Sequence, residues 1–321
     1  MITVSVPSED VAQALGDVGD DARVVVWNPA DADAPEDEQG QITLACLAHY
    51  TGGRKVYGRL AQCANLKVIQ IPSAGYEHAE PFVPEGVVLA NARGVHDSRV
   101  AEMTLGLIVA QRRHLPQFFD AQRRGVWKPM WFARGLADSR ALIVGYGSIG
   151  AAIAQRLRAC EVHVEGIART ARIEEDGTVV HAVAVLQEVL PLFDIVIVVT
   201  PHDESTDKLL DAAALAAMPD GAMLVNVGRG KVVDTDALVA ELTSGRLHAA
   251  LDVTDPEPLP AGHPLWTAPN CIIVPHVAGG EDLTNRRFTG LVQQQIAALR
   301  AGREPVNAVL VGVAERGTRE G

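Results

Sequence analysis

Cysteine is scarce in this chain of 321 residues, which has only Cys46, Cys63, Cys160 and Cys271. They are widely spaced and form no Cys-x-x-Cys pair, so we expect neither a metal site nor a disulfide framework, and a reducing compartment fits. Long hydrophobic runs are also missing, since none approaches the roughly 18 residues that a membrane span needs. Residues 1–7 lack the basic and apolar regions of a signal peptide. These absences favour a cytoplasmic protein.

Basic residues are outnumbered, with 28 Lys and Arg against 40 Asp and Glu, which gives a net charge of -12. This balance argues against nucleic acid or an anionic membrane as partner, because phosphate binding needs a basic face. It does not exclude a small anionic substrate, since one nearby arginine outweighs a screened distant field. The acidic run over residues 31–38 is predicted to be a solvated, exposed loop.

A glycine-rich loop in the middle of the chain is the strongest local signal. The apolar run 141–144 precedes Gly145-Tyr146-Gly147-Ser148-Ile149-Gly150, and the helix-compatible stretch 151–159 follows. In this setting Gly145 permits the tight turn, Gly147 lets the backbone approach a pyrophosphate, and Gly150 allows close packing of helix on strand. The helix N-terminus offers N–H groups to phosphates. The loop therefore predicts a dinucleotide site.

Short apolar runs alternate with helical stretches on both sides of this loop, in a chain long enough for two domains. The pattern predicts strands over 2–6, 24–27, 42–48, 68–71, 87–91, 162–168, 194–199, 222–227, 249–253 and 271–274, and helices over 11–15, 56–64, 97–114, 184–192, 235–244 and 284–300. Such alternation is typical of an α/β fold with a parallel, doubly wound sheet. Beyond Pro305 we expect irregular chain, with a frayed polar end over 315–321.

Several further motifs follow predicted strands in one order. They are Ser73-Ala74-Gly75-Tyr76, Val100-Ala101-Glu102, the stretch 226–234 around Gly228-Arg229-Gly230, Leu251-Asp252-Val253 running into 255–260, and 275–280 around His276. With these motifs the chain resembles the D-isomer-specific 2-hydroxyacid dehydrogenases, a family that includes phosphoglycerate dehydrogenases and glyoxylate/hydroxypyruvate reductases, over roughly residues 42–307.

The resemblance implies two lobes, each built on a doubly wound, mostly parallel sheet. A Rossmann cofactor lobe over 97–285 would be inserted into a flavodoxin-like substrate lobe formed by 1–96 and 286–321, with the active site in the cleft. Members of the family usually form homodimers through the cofactor lobe. Trp127, Trp131 and Phe132 are interpreted either as such a contact or as core.

Reduction of a 2-oxo acid needs a cation for its carboxylate, a proton donor for its carbonyl oxygen, and a hydride. Arg229 suits the first task, because guanidinium binds carboxylates bidentately and keeps its charge. His276 suits the second, since imidazole titrates near neutral pH. Glu257 can orient His276 and favour its protonated form. The resemblance implies these same three catalytic roles, with Arg229 also binding substrate beside a backbone cradle at Ala74 and Gly75.

The cofactor prediction rests on a departure from the family. NAD-preferring members end the second strand of this lobe with an acidic residue, whereas this chain has Ala168 followed by Arg169, Thr170 and Arg172. We therefore expect NADP(H), with NAD as the alternative. The resemblance adds cofactor contacts, with Asp252 accepting from the nicotinamide carboxamide. They are Gly145, Gly147, Ser148, Ile149, Gly150, Pro201, Val227, Gly228, Asp252, His276 and Gly279.

Two other functions are compatible with such a chain. The same fold serves as a dinucleotide-sensing corepressor, a binding protein that can retain all three catalytic residues. A formate-type dehydrogenase is disfavoured, because that branch has Gln at the position of Glu257. The substrate side chain stays open, with His49, Tyr50, His96 and Trp131 as candidates for lining the cleft.

Overall fold

The computed structural model describes residues 1–49, 51–127, 129, 133–280 and 282–313. The chain divides into two units, one formed by Met1–His96 with residues 282–313 and the other by Asp97–Gly280. The second unit ends at residue 280, whereas the sequence predicts that it ends at residue 285. Leu283 explains the difference, because it is buried in one core with Phe288 and Leu291 of the first unit.

The described part of the first unit holds a six-stranded sheet. Its order is β14-β5-β4-β3-β1-β2, parallel except for β14. The strands are β1 (Ile2–Val6), β2 (Ala22–Val26), β3 (Ile42–Cys46), β4 (Val68–Gln70), β5 (Val88–Ala90) and β14 (Ala308–Val311), and the helices are α1 (Glu9–Leu15), α2 (Glu36–Gln39), α3 (Arg54–Leu60), a 3₁₀ turn (Glu80–Phe82) and α10 (Arg286–Arg300). Apolar side chains cover both sheet faces, as expected of parallel strands.

In the second unit, the residues described form an eight-stranded sheet in order β13-β12-β11-β10-β6-β7-β9-β8, parallel except for β8. The strands are β6 (Arg140–Val144), β7 (His163–Ala168), β8 (Arg172–Ile173), β9 (Val179–Ala182), β10 (Ile195–Val198), β11 (Met223–Asn226), β12 (His248–Leu251) and β13 (Cys271–Ile273). The helices are α4 (Asp97–Arg112), α5 (Leu115–Arg123), α6 (Ser148–Ala159), α7 (Leu186–Val189), α8 (Ala212–Ala217) and α9 (Thr235–Thr243), with 3₁₀ turns at Val183–Val185, Leu190–Leu192, Gly230–Val232 and Pro264–Thr267.

The strand order creates the position of the site. Strands β7 and β10 lie on opposite sides of β6, so the connections after β6 and β10 diverge. In open α/β sheets, ligands bind in the crevice that such a divergence leaves at the carboxyl ends of the strands. Val144, Val198, Asn226 and Leu251 lie abreast in register and end their strands. The residues that follow them therefore begin side by side along one edge.

Three predictions from the sequence were wrong. The chain beyond Pro305 is not wholly irregular, because Ala308–Val311 pairs antiparallel with β5, a tertiary contact that local pattern does not reveal. The acidic run is largely exposed as predicted, but it is not all loop, because Glu36–Gln39 form a short helix and Glu38 pairs with Arg23 of β2. The helix expected over 184–192 is broken into short turns, and the last of them, Leu190–Leu192, contains Pro191, which cannot donate a backbone hydrogen bond.

Within the residues described, no helix combines the length and apolarity required to cross a bilayer.

Candidate active site

The predicted site residues of the second unit come together at the carboxyl edge of its sheet. Gly145 to Gly150 follow β6, Arg169 and Thr170 follow β7, Pro201 follows β10, Val227, Gly228 and Arg229 follow β11, Asp252 follows β12, and His276 and Gly279 follow β13. Neighbouring strands lie about 4.8 Å apart. The loops therefore form a continuous row.

The glycine loop is crowded at two of its glycines and open at the third. A Cβ on Gly145, whose φ is +101°, would lie 2.6 Å from the backbone nitrogen of Thr200, and one on Gly150 would lie 3.0 Å from the carbonyl oxygen of Gly145. A Cβ on Gly147 would meet no atom within 4 Å. Gly147 is the N-cap of α6, whose first N–H groups, on Ser148 and Ile149, have no acceptor within the helix. This open space beside unpaired donors fits a dinucleotide pyrophosphate.

Tyr146 anchors the glycine loop to the neighbouring strand, a contact that the sequence did not suggest. Its side chain is 5% exposed, and its hydroxyl lies 3.2 Å from Oγ1 of Thr178. A Cβ on Gly166 of β7 would lie 2.5 Å from Cδ2 of Tyr146. A glycine inside a strand marks such a close approach, so Gly166 was the available signal.

The turn after β7 carries the residues on which the cofactor preference depends. Ala168 ends the strand, and Arg169 and Thr170 are exposed. Arg172 donates from Nη2 to the Tyr146 carbonyl oxygen at 2.7 Å, so its guanidinium lies against the glycine loop. Its Nε donates to Oε1 of Glu174 at 2.7 Å. Glu174 thus partly neutralises one of the two arginines, which sequence reasoning missed.

Arg229 is held by its own turn after β11. The buried Asn226 accepts from the Gly228 N–H at 3.1 Å and donates to the Arg229 carbonyl oxygen at 3.0 Å. The half-buried Arg229 side chain donates from Nη1 to the Gly228 carbonyl oxygen at 2.8 Å. Asn226 therefore fixes the backbone from which the guanidinium extends.

Gly230 brings the turn of Arg229 against the loop of Glu257. A Cβ at this position would lie 2.0 Å from the carbonyl oxygen of Thr254. The hydroxyl of Thr235 donates to the Asp255 carbonyl oxygen at 2.9 Å and ties the same loop to the start of α9. Only glycine allows the two backbones this approach. The sequence did not indicate that Gly230 contacts Thr254.

His276 and Glu257 form a direct pair. Nδ1 of His276 lies 2.6 Å from Oε1 of Glu257, and the two side chains are 48% and 41% exposed. Because the carboxylate accepts at Nδ1, the Nε2 nitrogen is left as the position for proton exchange with a substrate. The backbone of His276 has a φ of 51°, the left-handed region, in which its N–H donates to the Asp252 carbonyl oxygen at 2.8 Å.

Asp252 holds the loop that carries His276. Its side chain is 2% exposed and accepts from the N–H groups of Val277 at 2.7 Å and of Ala278 at 3.1 Å. Burial raises the pKa of Asp252, and the two backbone hydrogen bonds oppose that rise. The structure thus gives this carboxylate a positioning role. Its predicted contact with a nicotinamide carboxamide stays a prediction.

The predicted carboxylate cradle lies in the first unit, after β4. Asn91 donates to the Ala74 carbonyl oxygen at 2.6 Å, and Ser73 donates to the Gly75 carbonyl oxygen at 2.7 Å. Within the described chain, the N–H groups of Ala74 and Gly75 donate to no acceptor. The cradle's role in substrate binding stays a prediction.

The aromatic candidates have different outcomes. Trp127 is 94% exposed, so its interpretation as core was wrong and the subunit contact stays a prediction. His96 is 6% exposed, with Nε2 2.5 Å from the Pro72 carbonyl oxygen. Tyr50, Trp131 and Phe132 lie outside the described residues, as does the terminal run 315–321.

Sequence comparison identifies relatives over most of the chain. Residues 105–278 match the sequence model of the NAD binding domain of D-isomer specific 2-hydroxyacid dehydrogenases. The chain is 33% identical over 255 residues to human glyoxylate reductase/hydroxypyruvate reductase, which covers 77% of each protein. It is also 33% identical over 291 residues to the glyoxylate reductase of Thermofilum pendens, covering 87% of this chain and 84% of that protein.

Solved structures give the same result. A D-isomer specific 2-hydroxyacid dehydrogenase from Xanthobacter autotrophicus Py2, in complex with NADPH and MES, superposes with a TM-score of 0.81 at 29% identity, over 96% of this chain and 98% of that one. An NADPH-dependent glyoxylate/hydroxypyruvate reductase from Sinorhizobium meliloti gives 0.75 at 27% identity, over the same shares. The chain belongs to the D-isomer specific 2-hydroxyacid dehydrogenase family.

Proposed function

We propose that this protein is a reductase that converts a 2-oxo acid into the D-2-hydroxy acid and prefers NADPH as the hydride source. His276 is the proton donor, Glu257 orients it, and Arg229 binds the substrate carboxylate. The observation that carries the proposal is the 2.6 Å hydrogen bond between Nδ1 of His276 and Glu257 at the carboxyl edge of the sheet. Reductase relatives at 33% identity support the substrate class.

His276 delivers the proton through Nε2. With Nδ1–H donating to Glu257, the protonated ring directs its second N–H to the carbonyl oxygen, where negative charge develops during reduction. The glutamate fixes the orientation of the ring through Nδ1, which leaves Nε2 for the substrate. The imidazole side chain is 48% exposed, which allows solvent to restore the proton after each turnover.

Arg229 supplies the fixed positive charge. Its strand, β11, is separated from β13, which precedes His276, by one strand, so the two loops begin about 10 Å apart. A long arginine side chain and an imidazole can therefore engage opposite ends of one small 2-oxo acid. The guanidinium holds the carboxylate bidentately and orients the carbonyl for attack.

Bound nicotinamide dinucleotide supplies the hydride. The chain's part is to hold it: the N–H groups of Ser148 and Ile149 lie at the open space beside Gly147, which suits the pyrophosphate. Arg169 and Thr170 are exposed after β7, where an acidic residue would repel a 2′-phosphate. The opposing carboxylate of Glu174 makes the NADPH preference moderate rather than absolute.

The test is a cofactor-oxidation assay with NADPH and NADH against glyoxylate, hydroxypyruvate, pyruvate and bulkier 2-oxo acids. We expect turnover of at least one of these acids, a higher kcat/KM with NADPH, and a loss of about 10²–10⁴-fold in kcat for His276→Ala. A higher kcat/KM with NADH would refute the cofactor preference. Near-normal turnover by His276→Ala would remove the proposed proton donor. Tight cofactor binding without turnover of any 2-oxo acid would favour a dinucleotide-sensing role instead.

We also propose that the protein is a homodimer. Trp127 is 94% exposed, its sequence neighbour Val126 is 52% exposed, and Phe119 of the preceding helix α5 is 51% exposed. Large apolar side chains clustered on a surface mark interaction sites. Sedimentation equilibrium should give twice the 34.1 kDa chain mass, and Trp127→Asp should shift the protein toward monomer. A wild-type protein that sediments as a monomer at micromolar concentration would contradict this assignment.

A further inference from the structure

A pocket lies at the amino-terminal edge of the eight-stranded sheet, opposite the edge that carries Arg229 and His276. It has a volume of about 70 Å³ and is lined by the end of α4, by His114 and Arg134, and by residues at the start of β11 and β12. None of its lining side chains among the residues described is acidic. In a chain of net charge -12, such a concentration of cationic groups is unexpected.

Arg112, the last residue of α4, is the most unusual group in this pocket. It is 7% exposed, and its Nε has no hydrogen-bond partner in the described chain. Its Nη2 donates to the Asp194 carbonyl oxygen at 3.3 Å, which is a long hydrogen bond. Burial lowers the pKa of Arg112, against the attraction of Asp194. A buried guanidinium without a paired anion costs free energy.

Asp194 does not supply the missing anion. Its carboxylate Oδ2 accepts from the backbone N–H of Arg140 at 2.9 Å, and it forms no ion pair with Arg112 within the described residues. The charge of Arg112 is therefore balanced at a distance only. A ligand that carries negative charge into the pocket would balance it directly.

Arg134 and His248 supply two further donors to the same pocket. The guanidinium of Arg134 lies over Gly221, with Nη1 3.3 Å from the position of a Cβ on that glycine. Gln111 donates from Nε2 to the Asn270 carbonyl oxygen at 2.8 Å and lies 3.3 Å from Nδ1 of His248. Nδ1 is thus the acceptor, which places the imidazole proton on Nε2. Burial lowers the pKa of His248, and the charges of Arg112, His114 and Arg134 lower it further, so this ring is a neutral donor at pH 7.

We propose that this pocket binds a small tetrahedral oxyanion of the phosphate type between the guanidinium groups of Arg112 and Arg134, with His248 as a further donor. Guanidinium groups bind phosphate oxygens bidentately, and a tetrahedral anion accepts from several directions at once. The site is independent of the dinucleotide loop, because it lies at the other end of β11 and β12. The oxyanion is either free phosphate or the phosphoryl group of a small ester.

The experiment is thermal unfolding of the full chain during titration with inorganic phosphate, at an ionic strength held constant with sodium chloride. We expect Tm to rise and then saturate, as ligand binding to the native state requires. Preferential exclusion of phosphate also stabilises proteins, but that effect does not saturate. A parallel titration with glycerol phosphate separates the sources: saturation by phosphate alone identifies the free anion, and saturation by both identifies a site open to esters.

Matched variants locate the effect. Arg134→Gln alters an exposed side chain, and we expect it to weaken phosphate binding by about tenfold or more. Arg303→Gln, after α10, removes an exposed arginine elsewhere and should keep the saturable response. Arg112→Met should abolish the response yet raise Tm in phosphate-free buffer, because it removes an unpaired buried charge. An equal response in wild type and Arg134→Gln, or no saturable response in wild type, would overturn the proposal.

Discussion

Replacing Glu257 with glutamine tests whether the carboxylate acts on catalysis through His276. Glutamine keeps the length and an acceptor oxygen, so the change removes mainly the negative charge at 2.6 Å from Nδ1. A hydrogen bond to a charged group is worth about 1.5–3 kcal/mol. Both side chains are nearly half exposed, at 41% and 48%, so screening reduces the charge contribution to about 1–2 kcal/mol. At 1.36 kcal/mol per decade, this predicts a loss of about 5–30-fold in kcat.

The assay is steady-state oxidation of NADPH with the best 2-oxo acid across a range of pH. Because Glu257 acts through His276 and not on substrate, KM should change little while kcat falls. Glu188→Gln, an exposed substitution on α7, is the matched control and should behave like wild type. A Glu257→Gln enzyme with unchanged kcat would refute this reasoning.

Three further predictions follow from other contacts. Arg169→Glu should reduce the preference for NADPH over NADH by about tenfold or more in kcat/KM, because it places a carboxylate near the 2′-phosphate, and an unchanged ratio would exclude this turn from cofactor selection. Gly230→Ala should lower kcat and Tm together, since its Cβ would overlap the Thr254 carbonyl group, and full activity would show that the two loops can separate freely. Partial burial of Glu165 raises its pKa, but hydrogen bonds from His181 and other donors outweigh that effect and keep the pKa below 4.5. The ionised carboxylate therefore stabilises the fold above pH 4.5, and this stabilisation is lost as the pH falls further. Glu165→Gln should lower the free energy of unfolding, measured by chemical denaturation, by about 1 kcal/mol at pH 7 and by less in acid. A difference that does not depend on pH would contradict this reasoning.

The strands and the order of the site could be predicted because their causes are local. Continuous apolar runs such as 141–144 and 195–198 are long enough to cross a buried sheet, and the glycine spacing after the first of them fixes a turn. Asp234 accepts from the Ala237 N–H and begins α9 close to the expected position. The residues after each strand then reach one edge by the parallel topology alone.

What could not be predicted depends on partners that are distant in sequence. β14 forms because β5 presents an edge to it, and no local pattern near Pro305 indicates that edge. The crowding of Gly230 against Thr254 depends on two loops that meet only in the folded chain. The cationic pocket is the clearest case, because Arg112, Arg134 and His248 come from three separate segments.

The pair of Arg172 and Glu174 is a different kind of miss. The two residues are close in sequence, yet the sequence prediction treated Arg172 as free to bind a phosphate and did not consider Glu174. The hydrogen bond from Nε to Oε1 at 2.7 Å shows that the carboxylate competes for it. A charge count over a turn is therefore a weaker guide than the donor geometry within it.

The most direct test of the central claim is transfer of label during reduction of hydroxypyruvate. NADPH that carries deuterium at both C4 positions of the nicotinamide should give glycerate with deuterium at C2 and the D configuration, as mass spectrometry and chiral chromatography would show. His276→Ala should form this product slowly but with the same label. Product without deuterium at C2, or of the L configuration, would contradict a D-specific hydride transfer at this site.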